Sequence, residues 1–121
     1  MSVTGTTDIT TTSTSYTDMT DMEIRFVSSG RPVKISFVAP VFHTTDGSGI
    51  VCALDIAGTE KIASHTRSAA NGGDAVMVLN WVETLAAGTH TIKIQWKSHT
   101  TGTIHQEGAT KGNRILICEE M

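Results

Sequence analysis

The chain has 121 residues, enough for one domain with a single core. Apolar residues make up 39% and charged residues 17%, both low for a compact domain; Thr, Ser and Gly fill the difference and favour strands and turns over helices. The formal net charge of −3 gives no electrostatic footprint for nucleic acid or anionic lipid, and no apolar run is long enough to span a bilayer.

The N-terminus, MSVTGTTDIT, lacks the basic-then-apolar layout of a secretion signal, so a soluble protein made in a cytoplasm is expected. Residues 2–20, SVTGTTDITTTSTSYTDMT, are dominated by threonine. Such a stretch is β-prone but has almost nothing to bury, so it cannot fold by itself. Residues 1–14 are therefore expected to form a flexible arm and 15–121 the folded domain. Ile9 suits a strand added to an existing edge, and Tyr16 and Met19 are the first plausible anchors.

From Met22 onward the pattern is strand, turn, strand. MEIRFVS puts Met22, Ile24 and Phe26 on one face. PVKISFVAPVF does the same with Val33, Ile35, Phe37 and Ala39, before Pro40 interrupts the ladder or marks an edge bend. After an Asp46-Gly47 turn, IVCALDIAG offers Ile50, Cys52, Leu54 and Ile56 as an inward set. A short strand at 61–65 leads to SAANGGD, where Asn71-Gly72-Gly73 demands a tight turn. AVMVLNWVETL is apolar on both faces, as in a strand covered on two sides. Within it VLNWVETLAA has Val78, Trp81 and Leu85 at helical spacing, but it lacks a good N-cap and is rich in β-branched residues. THTIKIQWKS alternates, and RILICEE closes the chain. Glycines 30, 47, 58, 72, 88, 102 and 112 punctuate these runs at intervals that argue for an all-β sandwich or barrel.

Candidate chemistry is sparse. In the strand from Thr89 to Ser98, His90 falls on the side of Ile92, Ile94 and Trp96, one or two residues past a turn. There an imidazole can donate to a loop carbonyl. Catalysis would need an orienting carboxylate and an activated Ser or Cys, and no Ser or Cys sits in an activating context. His90 therefore reads as structural. His99 and His105 flank the Thr101-Gly102 turn, where a hairpin would bring two weak metal ligands together; solvated hairpin histidines are the simpler reading. Asp46-Gly47-Ser48-Gly49 starts like a calcium loop but lacks the later acidic ligands. Asp18, Asp21 and Glu23 can hold a cation or face water. Asp55, Glu60, Asp74 and Glu83 form no diagnostic acid/base pair, and Lys111-Gly112-Asn113 is a turn rather than a phosphate loop. Trp81 and Trp96 would make a sugar platform only if exposed, and parity buries Trp96. Cys52 and Cys118 sit in apolar runs and read as small buried hydrophobes, with a bridge between neighbouring strands as the alternative. No enzyme activity, metal or cofactor is expected.

The order of features, SYTDMTDMEIRF, PVKISFVAPV, ALDIAG, LAAGTHTIKIQWKS and RILICEE, resembles small jelly-roll modules of the C1q/TNF-like kind in bacteriophage structural proteins, both capsid decoration proteins and tail-fibre heads. The resemblance spans roughly residues 15–120 and is most specific at Leu85–Trp96. It implies an antiparallel two-sheet β-sandwich of jelly-roll form, assembled as a homotrimer. No collagen-like or coiled-coil stalk is expected upstream, which favours a free-standing protein that docks on a surface. The implied role is a capsid decoration or cement protein on the virion exterior. Its partners would be its own copies and the major capsid protein, with neither nucleic acid nor membrane. The alternative is a trimeric tail-fibre or receptor-binding head whose loops around Gly47, Gly72 and Gly102 touch a host glycan. The residues pointing independently to assembly lie in AVMVLNWV, where one face needs an outside cover: Met77, Leu79 and Trp81, or else Val76, Val78 and Val82. A neighbouring subunit supplies that cover, or the chain's own arm folded back. Ile9, Tyr16, Met77, Leu79 and Trp81 are the interface candidates.

Overall fold

A computed structural model describes residues 1–45, 48–68 and 73–121; the turns expected at Asp46-Gly47 and Asn71-Gly72 lie outside them. Every regular element among the described residues is a strand: β1 (Ser2–Gly5), β2 (Asp8–Thr11), β3 (Thr17–Ser28), β4 (Pro32–His43), β5 (Gly49–Ile56), β6 (Thr59–Arg67), β7 (Ala75–Thr84), β8 (Gly88–Ser98), β9 (Ile104–Glu107) and β10 (Arg114–Glu120). VLNWVETLAA is extended through Thr84, as its β-branched start dictates.

Two antiparallel sheets face each other. In the six-stranded sheet, β4 pairs β7 along one side and β10 along Val33–Val38 of the other; β1 then pairs β10. The end of β4, Phe42-His43, pairs β9, which pairs β2. The four-stranded sheet runs β3-β8-β5-β6. β9 and β10 act as one strand broken by the turn at 108–113, and β1 and β2 as its partner broken at Thr6–Thr7. Counting each broken strand once leaves eight strands whose order makes two nested Greek keys, the jelly roll. Between β5 and β6, Ala57 (φ 53°) and Gly58 (φ 87°) form a two-residue turn of the kind that matches strand twist, with Asp55 Oδ1 accepting from the Gly58 N–H at 2.9 Å.

The core follows the parity of the sequence. Met22, Ile24 and Phe26, then Val33, Ile35, Phe37 and Ala39, then Ile50, Cys52, Leu54 and Ile56, and Ile92, Ile94 and Trp96 all lie inside. Cys52 and Cys118 are both buried and unbridged, one on the inner face of each sheet. Burial pushes both thiols up, Cys118 to about 11.

Two expectations change. Residues 1–14 are not a free arm: β1 and β2 complete the edge of the six-stranded sheet, and the Met1 ammonium donates to the Cys118 carbonyl at 2.7 Å. Part of the reason is Arg114, whose side chain is fully buried beneath the break between β1 and β2. It donates to the Thr7 carbonyl (2.6 Å), the Thr20 carbonyl (2.8 Å) and Gln106 Oε1 (2.8 Å). Gln106, equally buried, donates onward to the carbonyls of Pro40 and Gly112. Gly5 is glycine because a Cβ there would lie 2.2 Å from Arg114 Nε. Backbone pairing with β10 and β9, packing of Val3 and Ile9 against the core, and the hydrogen bond from a buried cation to the Thr7 carbonyl together fasten this threonine-rich stretch.

The second change concerns which strand is covered on both sides. That strand is β5, buried from Gly49 to Ile56, while β7 is covered on one side only. β5 lies between β8 and β6, and its outward residues Gly49, Val51 and Ala53 are smaller than the flanking Gln95, Lys97 and His65. The His65 ring lies over Gly49, where a Cβ would sit 1.9 Å from Nε2. Among the described residues β7 pairs β4 alone, and Val76, Val78 and Val82 on its outer face stay exposed.

Candidate interaction surface

The outer face of the six-stranded sheet is aliphatic. Val76 (60% exposed), Val78 (49%) and Val82 (55%) on β7 point outward beside Val38 (39%) and half-buried Pro40 on β4. The register sets Val78 next to Val38 and Val38 next to Ile115, and it sets Ser36 next to Ile117. One end of this strip closes with a row of Val82, Lys34 and Glu119. Asn80 and Ser36 lie in the row between Val78 and Val82, so Val82 stands apart from the group of Val76, Val78, Val38 and Pro40. Exposed aliphatic side chains grouped in this way make the face a candidate for contact with another molecule.

The outer face of the four-stranded sheet is mostly polar, with exposed Val27 at one end of β3. Lys93 bridges Asp18 at 3.0 Å, and Gln95 donates to the same carboxylate at 3.0 Å. The Lys97 ammonium lies 4.3 Å from the centre of the Tyr16 ring. Burial and the neighbouring Glu60 carboxylate push the Tyr16 hydroxyl up to about 12.

The interface candidates separate accordingly. Met77 and Leu79 are core residues of this chain, 1% and 3% exposed, because β7 turns their parity inward; the outward set is Val76, Val78 and Val82. Trp81 is half-buried at the edge of the core, and its Nε1 donates to Glu83 Oε1 at 3.0 Å. That bond, with Lys61 at 3.2 Å, holds the Glu83 carboxyl below the usual range. Ile9 packs from β2 against the core, and Tyr16 lies on the opposite sheet from the valines. The parity was in the sequence: Met77 and Leu79 alternate with Val76, Val78 and Asn80, and the structure turns the first pair inward and the others outward.

A second region gathers the loops after β4, β6 and β8 at one end. Thr100 Oγ1 donates to Ser48 Oγ, the Ser68 N–H to the Ser48 carbonyl, and the Thr44 N–H to the Thr103 carbonyl. His43 is fully buried here, with Nε2 2.7 Å from Ser98 Oγ. This Ser–His pair has the wrong polarity for a nucleophile and its base. The Thr45 N–H donates to His43 Nδ1 at 2.9 Å, so Nε2 carries the proton and donates to the serine, which donates on to the Thr100 carbonyl. His99 and His105, read as a possible ligand pair, part company: His99 lies 4.9 Å from the His65 ring, and His105 stacks on Phe42 at 4.4 Å. Among the described residues no group of three or more His, Cys, Asp or Glu is placed to hold a metal. His90 Nε2 donates to the Ala86 carbonyl at 2.7 Å, the loop contact expected of it.

A cleft of about 490 Å³ lies between the edges of the two sheets, lined by Val3, Thr4, Asp21 and Glu23. Asp21 (φ 62°) sits in a bulge of β3 between Asp18 and Glu23, 3.4 Å from the Arg114 guanidinium. The bulge bends the β3 edge away from regular pairing.

No model of a protein family matches this sequence, and no curated protein matches it. The fold, however, is found in solved structures. The chain superposes on an insecticidal delta-endotoxin of Bacillus thuringiensis with a TM-score of 0.56 and 12% identity, covering 93% of this chain and 20% of the toxin. It superposes on the VP2 subviral particle of infectious bursal disease virus with a TM-score of 0.55 and 12% identity, and on the Gt strain of that virus with 0.58 and 11%. In both viral structures 99% of this chain is covered and 37% of the other. The chain thus spans about a fifth to two fifths of these proteins, and what it shares with them is the β-sandwich.

Proposed function

We propose that this chain is a structural component of a virus particle, a jelly-roll sandwich that docks on the exterior of a phage capsid as a decoration or cement protein. The observation that carries the reading is the uncovered aliphatic face of β7, β4 and β10. A folded chain that leaves three valines of one strand about half exposed has a partner for them. A sandwich of the same fold in a viral particle supports the setting. The action is mechanical: burying this face against the major capsid protein or against further copies raises the free energy needed to separate neighbouring capsomers. Neither bond making nor a cofactor enters it. The protein would be made in the host cytoplasm and end on the virion. The homotrimer implied by the C1q/TNF-like resemblance is one form of the self-association such a face allows.

The test is to add the purified protein to particles lacking it. Electron microscopy should show new density on the capsid exterior, and heating should release the genome at a higher temperature. Density on the tail instead would favour the second reading, a receptor-binding head. One feature supports that alternative: described residues of the loops after β4, β6 and β8 are joined at one end by backbone hydrogen bonds and by the Thr100–Ser48 hydroxyl pair, the kind of polar rim that a host glycan contacts.

A further inference from the structure

We infer that the aliphatic face is the contact between two copies of this chain, paired face to face about a twofold axis. The inference rests on the reading of that face as a contact surface and names its occupant. Lys34 on β4 and Glu119 on β10 are register neighbours, both exposed, in the row that closes one end of the valine strip. Among the described residues neither forms an ion pair within the chain. The face therefore carries both signs of charge in one row, on adjacent strands.

That arrangement is self-complementary under one operation. A twofold axis lying between the two faces, parallel to the strands and midway between β4 and β10, sets β4 of each copy over β10 of the other. Lys34 then meets Glu119 of the other copy, twice, and Val38 meets Ile115 of the other copy. Val78, one strand further out, meets Thr4 of the other copy, which is in register with Ile115 on β1. An axis along β4 itself would instead stack Lys34 on Lys34. Two sheet faces packed at the usual angle of about 30° need no other feature than a flat aliphatic surface.

The strands of this face differ in length: β7 has ten residues, β4 twelve, β10 seven and β1 four. At about 4.8 Å between strands and 3.3 Å per residue each face offers roughly 500 Å², so two copies cover about 1,000 Å² together. That is the threshold for a specific interface, about 1,000 Å², and fits a pairing seen only at high concentration. A partner of unrelated surface has no reason to match the Lys34–Glu119 row; a second copy matches it by symmetry.

Sedimentation equilibrium of the full chain between about 5 and 200 µM tests this, with thermal melting followed by circular dichroism as the check on folding. The wild-type chain should be a dimer at the upper end. Val78→Asp should leave a folded monomer. Lys34→Glu or Glu119→Lys alone should weaken pairing at least about tenfold, and the double reversal, Lys34→Glu with Glu119→Lys, should restore most of it. The charge variants keep the test open should Val78→Asp fail to fold. A wild-type monomer at 200 µM, a trimer, or a dimer indifferent to Val78→Asp would overturn the pairing. Docking on capsids is read separately: a monomer that still decorates particles sinks the dimer and leaves the virion role, and a dimer that does not decorate them does the reverse.

Discussion

The two outer faces of this sandwich are built on the same alternation and end up with opposite chemistry. On the four-stranded sheet the outward positions of β8 are Lys93, Gln95 and Lys97, tied to Asp18 and Tyr16 of the neighbouring β3. On the six-stranded sheet the outward positions of β7 and β4 include Val76, Val78, Val82 and Val38, with Asn80, Ser36 and Lys34 between and beside them. Both sheets bury their inner faces equally well, so folding of the single chain does not account for the difference. One face is dressed in paired charges, and the other leaves valines open to water. The contrast lies in the surface, not in the core.

The largest expected effect separates the two sides of one strand. Phe37 (1% exposed) and Val38 are adjacent on β4 and point opposite ways. Phe37→Ala should cost about 3–5 kcal/mol of stability, from lost burial and the cavity left behind. Val38→Thr should cost under about 0.5 kcal/mol in dilute protein. Urea denaturation at several protein concentrations checks both. If the Val38 cost grows with concentration, the outer face is the core of an assembly, because anything that binds only the folded chain adds to its stability.

Next comes the clamp that holds the edge of the aliphatic sheet. Arg114→Met should cost about 3 kcal/mol or more, since it leaves the Thr7 and Thr20 carbonyls and Gln106 Oε1 without their donor. Hydrogen exchange should show β1 and β2 opening first in that variant. Unchanged protection of Ser2–Gly5 would mean that the backbone pairing to β10 holds the edge without the guanidinium.

The inner faces were readable in the sequence because period-2 alternation is a local property: each of Met22–Phe26, Val33–Ala39 and Ile92–Trp96 declares its own side. Two features were not local. Which strand is covered twice depends on who its neighbours are, so β5 and β7 exchanged roles once the strand order put β7 at an edge. Met77 and Leu79 moved from candidate interface to core for the same reason. The ordering of residues 2–11 rests on pairing with β9 and β10 and on the contact with Arg114, all about a hundred positions away, and a lone arginine before ILIC carries no mark of a buried clamp. The outward valines were visible as one of two possible sets; only the register to Val38 and Ile115 made them a surface.

A smaller effect is expected at the loop end, which belongs to neither face and serves as their control. Burial, and secondarily the neighbouring His105, hold the His43 pKa below its ordinary value near 6.5. Charging the ring at Nδ1 would also break the bond from the Thr45 N–H. The stability contributed by the neutral ring is therefore full above about pH 6.5 and is lost as the pH falls below it toward the depressed value. Melting temperature should drop between pH 7.5 and 5.5. His43→Asn should flatten that drop while costing on the order of 1 kcal/mol at pH 7.5. His65, lowered chiefly by burial and then by His99 and Arg67, adds in the same direction. A slope unchanged in His43→Asn would assign it to His65.

The smallest effect is predicted on the polar face, and its smallness is the point. The Asp18 side chain is 60% exposed although it accepts from both Gln95 and Lys93. Those two hydrogen bonds, Gln95 first, hold its carboxyl below the usual range, so its contribution is present above about pH 4 and lost as the pH falls through the lowered value. Water screens a pair this open, and Asp18→Asn should change stability by no more than about 0.5 kcal/mol, less in high salt. It should also leave sedimentation untouched, because Asp18 faces away from the valines. If Asp18→Asn disrupts assembly while Val78→Asp does not, the assignments of the two faces are reversed: the charged sheet is then the contact surface and the valines are merely tolerated exposure.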